Sequence, residues 1–278
     1  MTGGRIVTID LCILLAMLCV LSGPAQTTSA ATPTARFLSA ALKDQEVKCG
    51  PSLEVDYQVE FHPIAGGRAS VTRWSYKRTP EIVRAEREIG FQTKTICTFD
   101  RKTEEFRTLT TSPRLVEGRV SVGLWMPITL LECLETTNFH LPDGRLVDCL
   151  TLGKVSKQTE KIDGHSCWRV DIPSKSRNVS RYVVWVDPVI GYNPRRIDLF
   201  WVTEKPETIT FTSYKSVEKG VWFPEQSVHR YVNSGKDYIM VISVSSLTAG
   251  RVIPKDQLRL EFPSGTAVSI RGVTVTMP

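Results

Sequence analysis

The sequence predicts a mainly β protein of the α+β kind: a curved antiparallel sheet forming an unclosed β half-barrel of about ten strands, with helices covering its concave face. Three observations predict it. Leu53–Phe61 (LEVDYQVEF) alternates apolar and polar residues without a break, so one face of that strand is buried and the other solvated. Arg181–Val202 holds two alternating runs, Tyr182–Val186 and Ile197–Val202, around Asp187, Pro188, Gly191, Asn193 and Pro194, which reads as a long-looped β-hairpin. The same order of strand, polar turn and strand fills most of the chain, with no internal repeat and no linker, so residues 31–278 read as one domain.

The elements follow in order. Arg5, the unbroken apolar run Leu11–Leu21 and the small residues at Gly23-Pro24-Ala25 and Thr28-Ser29-Ala30 have the pattern of a secretory signal peptide over residues 1–30. The run is shorter than the about 20 apolar residues of a bilayer span, and Asp10 borders it, which weighs against an uncleaved anchor. A lipid on Cys19 is disfavoured because Leu18, not a small residue, precedes it. Pro33–Gln45 reads as a short amphipathic helix, with Phe37, Leu38, Ala41 and Leu42 at helical spacing. After the strand at Leu53 come a turn at Ile64–Gly67 and a strand placing Thr72, Trp74 and Tyr76 on one face. Glu81–Ile89 reads as a strand, although its charge spacing also suits a helix, and Lys94–Phe99 continues the series. Leu124–Leu134 lacks alternation and reads as a helix beginning near Pro127, with helical pieces, broken by Pro142-Asp143-Gly144, extending towards Leu152. Strands then return: GKVSKQTEKI, HSCWRVDIP, the hairpin, ETITFTSYKSV, VWFPEQSVHRYV and DYIMVISVSSL. The chain ends on a Pro-Ser-Gly turn between two short apolar runs.

Export sets the compartment: periplasm or cell envelope. The formal charge of +6 is scattered, with no basic block, which argues against a nucleic-acid surface. Removal of the signal would leave Cys49, Cys97, Cys133, Cys149 and Cys167, an odd number, so at most two bridges form. Cys133 and Cys149 flank a short segment and are the first candidate pair; a loop of that length would contribute about 3 kcal/mol.

The segment Val155–Tyr231 carries a resemblance. Ile162-Asp163-Gly164, then Trp185-Val186-Asp187-Pro188 with Gly191, then Gly220 with Trp222-Phe223-Pro224 follow one another as in the LolA/LolB-like superfamily of bacterial envelope proteins. In outline the chain resembles that group from Leu53 to Ser245. The resemblance implies an open β-barrel with an apolar inner face lidded by helices, which in the lipoprotein carriers shelters acyl chains between two membranes. It implies a lipid or an acylated protein as partner. The chain is longer than the carriers, ends on the added FPSGTAV segment and keeps five cysteines, so it looks like an extended member rather than a carrier in the strict sense.

Catalytic patterns are missing from the sequence. GHSCW lacks the second glycine of a nucleophile elbow, and there is no P-loop, H-E-x-x-H, EF-hand or C-x-x-C. His165 and Cys167 share a strand face, which a thiolate–imidazole pair would use, but a solvent-facing histidine beside a structural cysteine explains them as well. We therefore expect no enzyme, no cofactor and no metal. Candidate cavity residues are Tyr57, Phe61, Trp74, Tyr76, Trp168, Leu199 and Trp201, on the apolar faces of their strands, and Trp125 before the helical insert. Each could be plain core; a curved sheet too wide to fill itself would use them to line a cavity. The expected function is binding of a hydrophobic moiety in that cavity, as a carrier; the alternative is an envelope interaction or sensing protein on the same scaffold, without lipid.

Overall fold

The computed structural model describes residues 31–122, except 91, and 139–278, except 204, 219 and 234. The signal peptide expected over residues 1–30, the helix expected at Leu124–Leu134, Trp125 and Cys133 lie outside the described residues.

Helix α1 spans Ala35–Cys49. Thr34 caps it, its Oγ1 accepting from the Phe37 amide at 3.1 Å, and Gly50 at φ +82° ends it. Its buried stripe is Leu38, Ser39, Leu42 and Gln45, the spacing of one helical face. The helix starts at Ala35 rather than at Pro33 because Thr34 takes the cap position, and it runs four residues past Gln45, to Cys49.

The strands are β1 (Leu53–Pro63), β2 (Ser70–Arg78), β3 (Ile82–Ile89), β4 (Thr93–Asp100), β5 (Glu105–Ser112) and β6 (Leu115–Val122), then a two-residue pair β7 (His140–Leu141) and β8 (Gly144–Arg145). After the single-turn helix α2 (Leu146–Cys149) come β9 (Lys154–Ile162), β10 (His165–Pro173), β11 (Val179–Asp187), β12 (Asn193–Trp201), β13 (Glu207–Glu218), β14 (Val221–Asn233), β15 (Lys236–Ala249), β16 (Ala267–Ile270) and β17 (Val273–Thr276). All but β7 and β8 form one curved, unclosed sheet in the order β17-β16-β6-β5-β4-β3-β2-β1-β15-β14-β13-β12-β11-β10-β9. Two antiparallel meanders, β1–β6 and β9–β15, are joined where β1 pairs with β15, Leu53 opposite Ala249 and Val59 opposite Ile242.

The sheet has fifteen strands, not about ten. Much of the excess is β5, β6, β16 and β17. β5 is rich in threonine, and β6 exposes most of its residues, so neither shows a clean apolar alternation. β3 is a strand, as read. Arg84 and Glu86 point out on one face, 2.8 Å apart, and Lys94 of β4 reaches Glu86 at 2.5 Å, while Val83 and Ala85 are buried on the other. Those charges pair across a pleat, not along a helix. Pro142-Asp143-Gly144 breaks the helical pieces, as read: Pro142 and Asp143 form the turn of the β7–β8 pair, Gly144 opens β8 at φ +128°, and helical turns follow at Leu146–Leu152.

The apolar residues form two clusters on the same inner face. One packs Leu38 and Leu42 of α1 and Leu146, Val147 and Leu150 against β10–β13; the other joins β1–β5 with β14 and β15. Ser39 Oγ donates to the Val147 carbonyl at 2.6 Å, and Arg145 pairs with Glu46 at 2.6 Å, so α1 is held along its length.

After β15 the chain crosses the outer face of β2–β6. Ile253, Leu258 and Leu260 of this strap are buried, and Arg84 Nη1 donates to the Arg259 carbonyl at 2.6 Å. Phe262 lies over Gly118, where a β-carbon would stand 2.6 Å from the ring. The crossing is what lets β16 pair parallel to β6, the one parallel ladder among the described strands.

Candidate functional site

Strand register builds the inner face row by row. Phe211 of β13 stands opposite Ser227 of β14, Ser227 opposite Ile242 of β15, and Ile242 opposite Val59 of β1. One row along, Ile197, Ile209, His229, Met240 and Phe61 face one another across β12, β13, β14, β15 and β1. Directly opposed residues share a face, so these rows are a strip of largely apolar surface running over five strands. Beyond them, Tyr231 and Tyr238 are opposed and stacked, with ring centroids 5.6 Å apart. Phe61, Trp201, His229, Tyr231 and Tyr238 are half-buried, whereas Val59, Ile197 and Ile242 are fully buried, so this end of the strip is the open one.

The candidates read from the sequence divide between the two clusters. Tyr57, Trp74 and Tyr76 are buried in the cluster of β1–β5, with Phe61 packed against it; Tyr57 and Trp74 stack at 5.9 Å, and Trp74 Nε1 donates to Thr72 Oγ1 at 3.0 Å. Trp168 and Leu199 belong to the cluster under α1, with Trp201 packed against it. They line one face of one sheet but do not meet in one group.

The motif residues have a structural task. Asp187 is fully buried: Oδ1 accepts from the Val189 amide at 2.8 Å, and Oδ2 accepts from Arg195 Nε at 3.0 Å. Pro188 opens the 3-10 turn that follows, and Gly191 closes it at φ +67°. Gln45 of α1 lies on Gly191, donates from Nε2 to the Gly220 carbonyl at 2.8 Å and accepts from the Trp222 amide at 3.1 Å. One helix side chain thus joins the two turns that carry the resemblance. Trp185 faces the opposite side, donating from Nε1 to Glu160 at 2.7 Å beneath the Arg196 guanidinium.

His165 and Cys167 do not form a nucleophile. Cys167 is fully buried beside Val183 and Trp185, and burial, followed by the charge of Asp187, pushes its thiol up to about 12. A thiol held there stays protonated at neutral pH. Cys149 is a buried thiol whose Sγ donates to the Gly144 carbonyl at 3.7 Å. Among the described residues no group of three or more His, Cys, Asp or Glu side chains could hold a metal ion.

The sequence reading missed one constellation. Glu207 of β13 and His229 of β14 meet on the inner face, His229 Nε2 3.3 Å from Glu207 Oε2, with side chains 16% and 17% exposed. Ser227, two residues before His229 on the same face, is fully buried. The alternation of Ser227, His229 and Tyr231 was visible; the strand opposite was not, because β-bulges at Phe211–Tyr214 shift the register.

Comparison with known proteins adds the scaffold. The sequence matches no protein-family model and no curated relative. Among solved structures, the chain is similar to a DUF1329 family protein from Desulfovibrio piger, at 12% identity and TM-score 0.52, over 81% of this chain and 95% of that one. It is similar to a Vibrio parahaemolyticus domain described as an outer membrane lipoprotein-sorting protein, at 11% identity and TM-score 0.50, over 81% of this chain and 97% of that one. The chain has the fold of these two structures. A LolA superfamily protein from Nitrosomonas europaea also matches, at 11% identity and TM-score 0.41, over 80% of this chain and 97% of that one. No described helix is long and apolar enough to cross a membrane.

Proposed function

We propose that the protein is exported to the bacterial envelope and holds an apolar moiety, an acyl chain or lipid-modified partner, against the inner face of its half-barrel. The observation that carries this reading is the apolar strip over β12–β15 and β1, buried at Ile197, Ile242 and Val59 and half-open at Phe61 and Trp201. Burial of the chain would drive binding, at about 0.8 kcal/mol per CH₂. Release needs only that the open end meet an acceptor. The Leu11–Leu21 run supports export, and the neighbour described as a lipoprotein-sorting domain supports the ligand class.

One observation favours a second reading, an interaction or sensing protein with a filled interior: Leu38 and Leu42 of α1 are fully buried over β10–β13, so that half of the face is already occupied. Under the carrier reading the ligand therefore sits towards the open end of the strip, between Trp201 and Phe61. Native mass spectrometry of protein purified from its envelope, with lipid extraction, separates the two. A bound acyl species supports the carrier; protein free of lipid that also fails to take up a fluorescent fatty acid rejects it.

A further inference from the structure

Among the described residues, the rows of the strip over β12–β15 and β1 are apolar apart from Ser227 and His229 of β14. On β14, Ser227 sits between Phe211 and Ile242, and His229 between Ile209 and Met240. The Ser227 hydroxyl is fully buried and finds no hydrogen-bond partner among the described residues. His229 Nδ1 is buried and equally without one. An ionised Glu207 can only accept, so the His229 nitrogen facing it at 3.3 Å, Nε2, carries the hydrogen, and Nδ1 of the neutral ring is left as an acceptor. A donor and an acceptor thus stand two residues apart on one strand face, each walled by aliphatic or aromatic side chains. Leaving buried polar atoms unpaired is costly, so native proteins give such atoms a partner.

We propose that this spot receives the polar group of a neutral acyl ligand that offers both a hydrogen-bond acceptor and a donor, such as an amide or a hydroxyl. The inference rests on the carrier reading above and narrows its ligand. The ligand's acceptor takes the Ser227 hydrogen, and its donor reaches His229 Nδ1. An ionised carboxylate fits less well on two counts. It has no hydrogen to give Nδ1, and it would place a second negative charge near Glu207 in a poorly hydrated interior, where like charges repel more strongly than in water.

The test uses the full mature chain loaded with N-phenyl-1-naphthylamine, a fluorescent apolar probe, which is then displaced by dodecanamide or by dodecanoate. The pH is held at about 8 throughout. The ratio of the two displacing concentrations is read in the natural protein, in Ser227→Ala and in His229→Gln. Ser227→Ala removes only the unpaired oxygen and leaves the packing in place. Comparing ratios cancels the general preference of an apolar site for an uncharged compound. The expected result is a preference for the amide that falls about tenfold in His229→Gln, and displacing concentrations that rise about tenfold for both compounds in Ser227→Ala, since either head group can accept from that hydroxyl; each change is the worth of one buried hydrogen bond. Probe uptake with the ratio unchanged in His229→Gln, or with both displacing concentrations unchanged in Ser227→Ala, overturns this inference and leaves the carrier reading standing. No probe uptake by the natural protein overturns both.

Discussion

The side-chain amide of Gln45 occupies the space that a β-carbon on Gly191 would fill, with Nε2 2.6 Å from that position. Gly191 also holds φ +67°, which a residue with a side chain enters only at a cost. Gly191→Ala should therefore destabilise the protein by about 3 kcal/mol, the sum of backbone strain and the displaced amide. Gly164, in the β9–β10 turn at φ +85° with nothing within 4 Å, is the control: Gly164→Ala should cost only about 1 kcal/mol. Urea unfolding of the two variants checks the difference. Equal losses would mean that the helix does not press on the turn.

The strap depends on a second close approach. Gly118→Ala places its β-carbon 2.6 Å from the Phe262 ring and 2.9 Å from Val268. The strap should lift, and limited proteolysis should cut within residues 250–262 of the variant while sparing the natural protein. Adding Phe262→Ala to Gly118→Ala removes the clash with the ring but also the anchor that the ring supplies, so the double variant should be cut as well. A protease-resistant double variant would show that the arginine contacts to Arg259 and Leu260 hold the strap by themselves.

Much of this was legible in the sequence, for definite reasons. β1 and the β11–β12 hairpin were readable because their buried and solvated residues alternate, as at Val55, Tyr57 and Val59 or at Ile197 and Leu199. β5 and β6 were not: β5 interleaves threonines with its two buried apolar residues, Phe106 and Leu109, which face opposite sides, and β6 exposes most of its residues. The strap itself turns only Ile253, Leu258, Leu260 and Phe262 towards the sheet, while Val252 is exposed, and no local pattern tells them which face to cross. The site was legible in part. The apolar residues announced themselves, whereas the meeting of Glu207 with His229 depends on register, and bulges in β13 set that register.

Burial of the thiols fixes a dependence on pH. Cys167 is pushed up to about 12 by burial and then by Asp187, and Cys97 to about 11 by burial, both from an ordinary value of 9.0. The folded state thus favours the protonated thiols. Their contribution to stability is complete below pH 9.0 and is lost as the pH rises through the folded values, because the unfolded chain ionises first. Urea midpoints should fall between pH 9.0 and about 11, and Cys97→Ala/Cys167→Ala should flatten that fall. Iodoacetamide at neutral pH should leave both thiols unmodified in the native protein, read by peptide mapping.

Trp74 and Trp201 should part company on truncation. Trp74 is 4% exposed and stacked on Tyr57, so Trp74→Ala should cost about 3–5 kcal/mol, as large core deletions do. Trp201 is half-buried at the open end, so Trp201→Ala should cost about 1–2 kcal/mol and still weaken probe binding. Thermal unfolding and probe titration of the same samples separate the two effects.

The central claim is that an acyl chain lies on the inner face between β13 and β1. The most direct test is photo-crosslinking with a fatty amide carrying a diazirine in mid-chain, followed by peptide mapping. The account predicts labels on Ile209, Met240 and Phe61, which neighbour one another around His229. Labels confined to the exposed outer valines Val273 and Val275, with none on the inner strip, would contradict it.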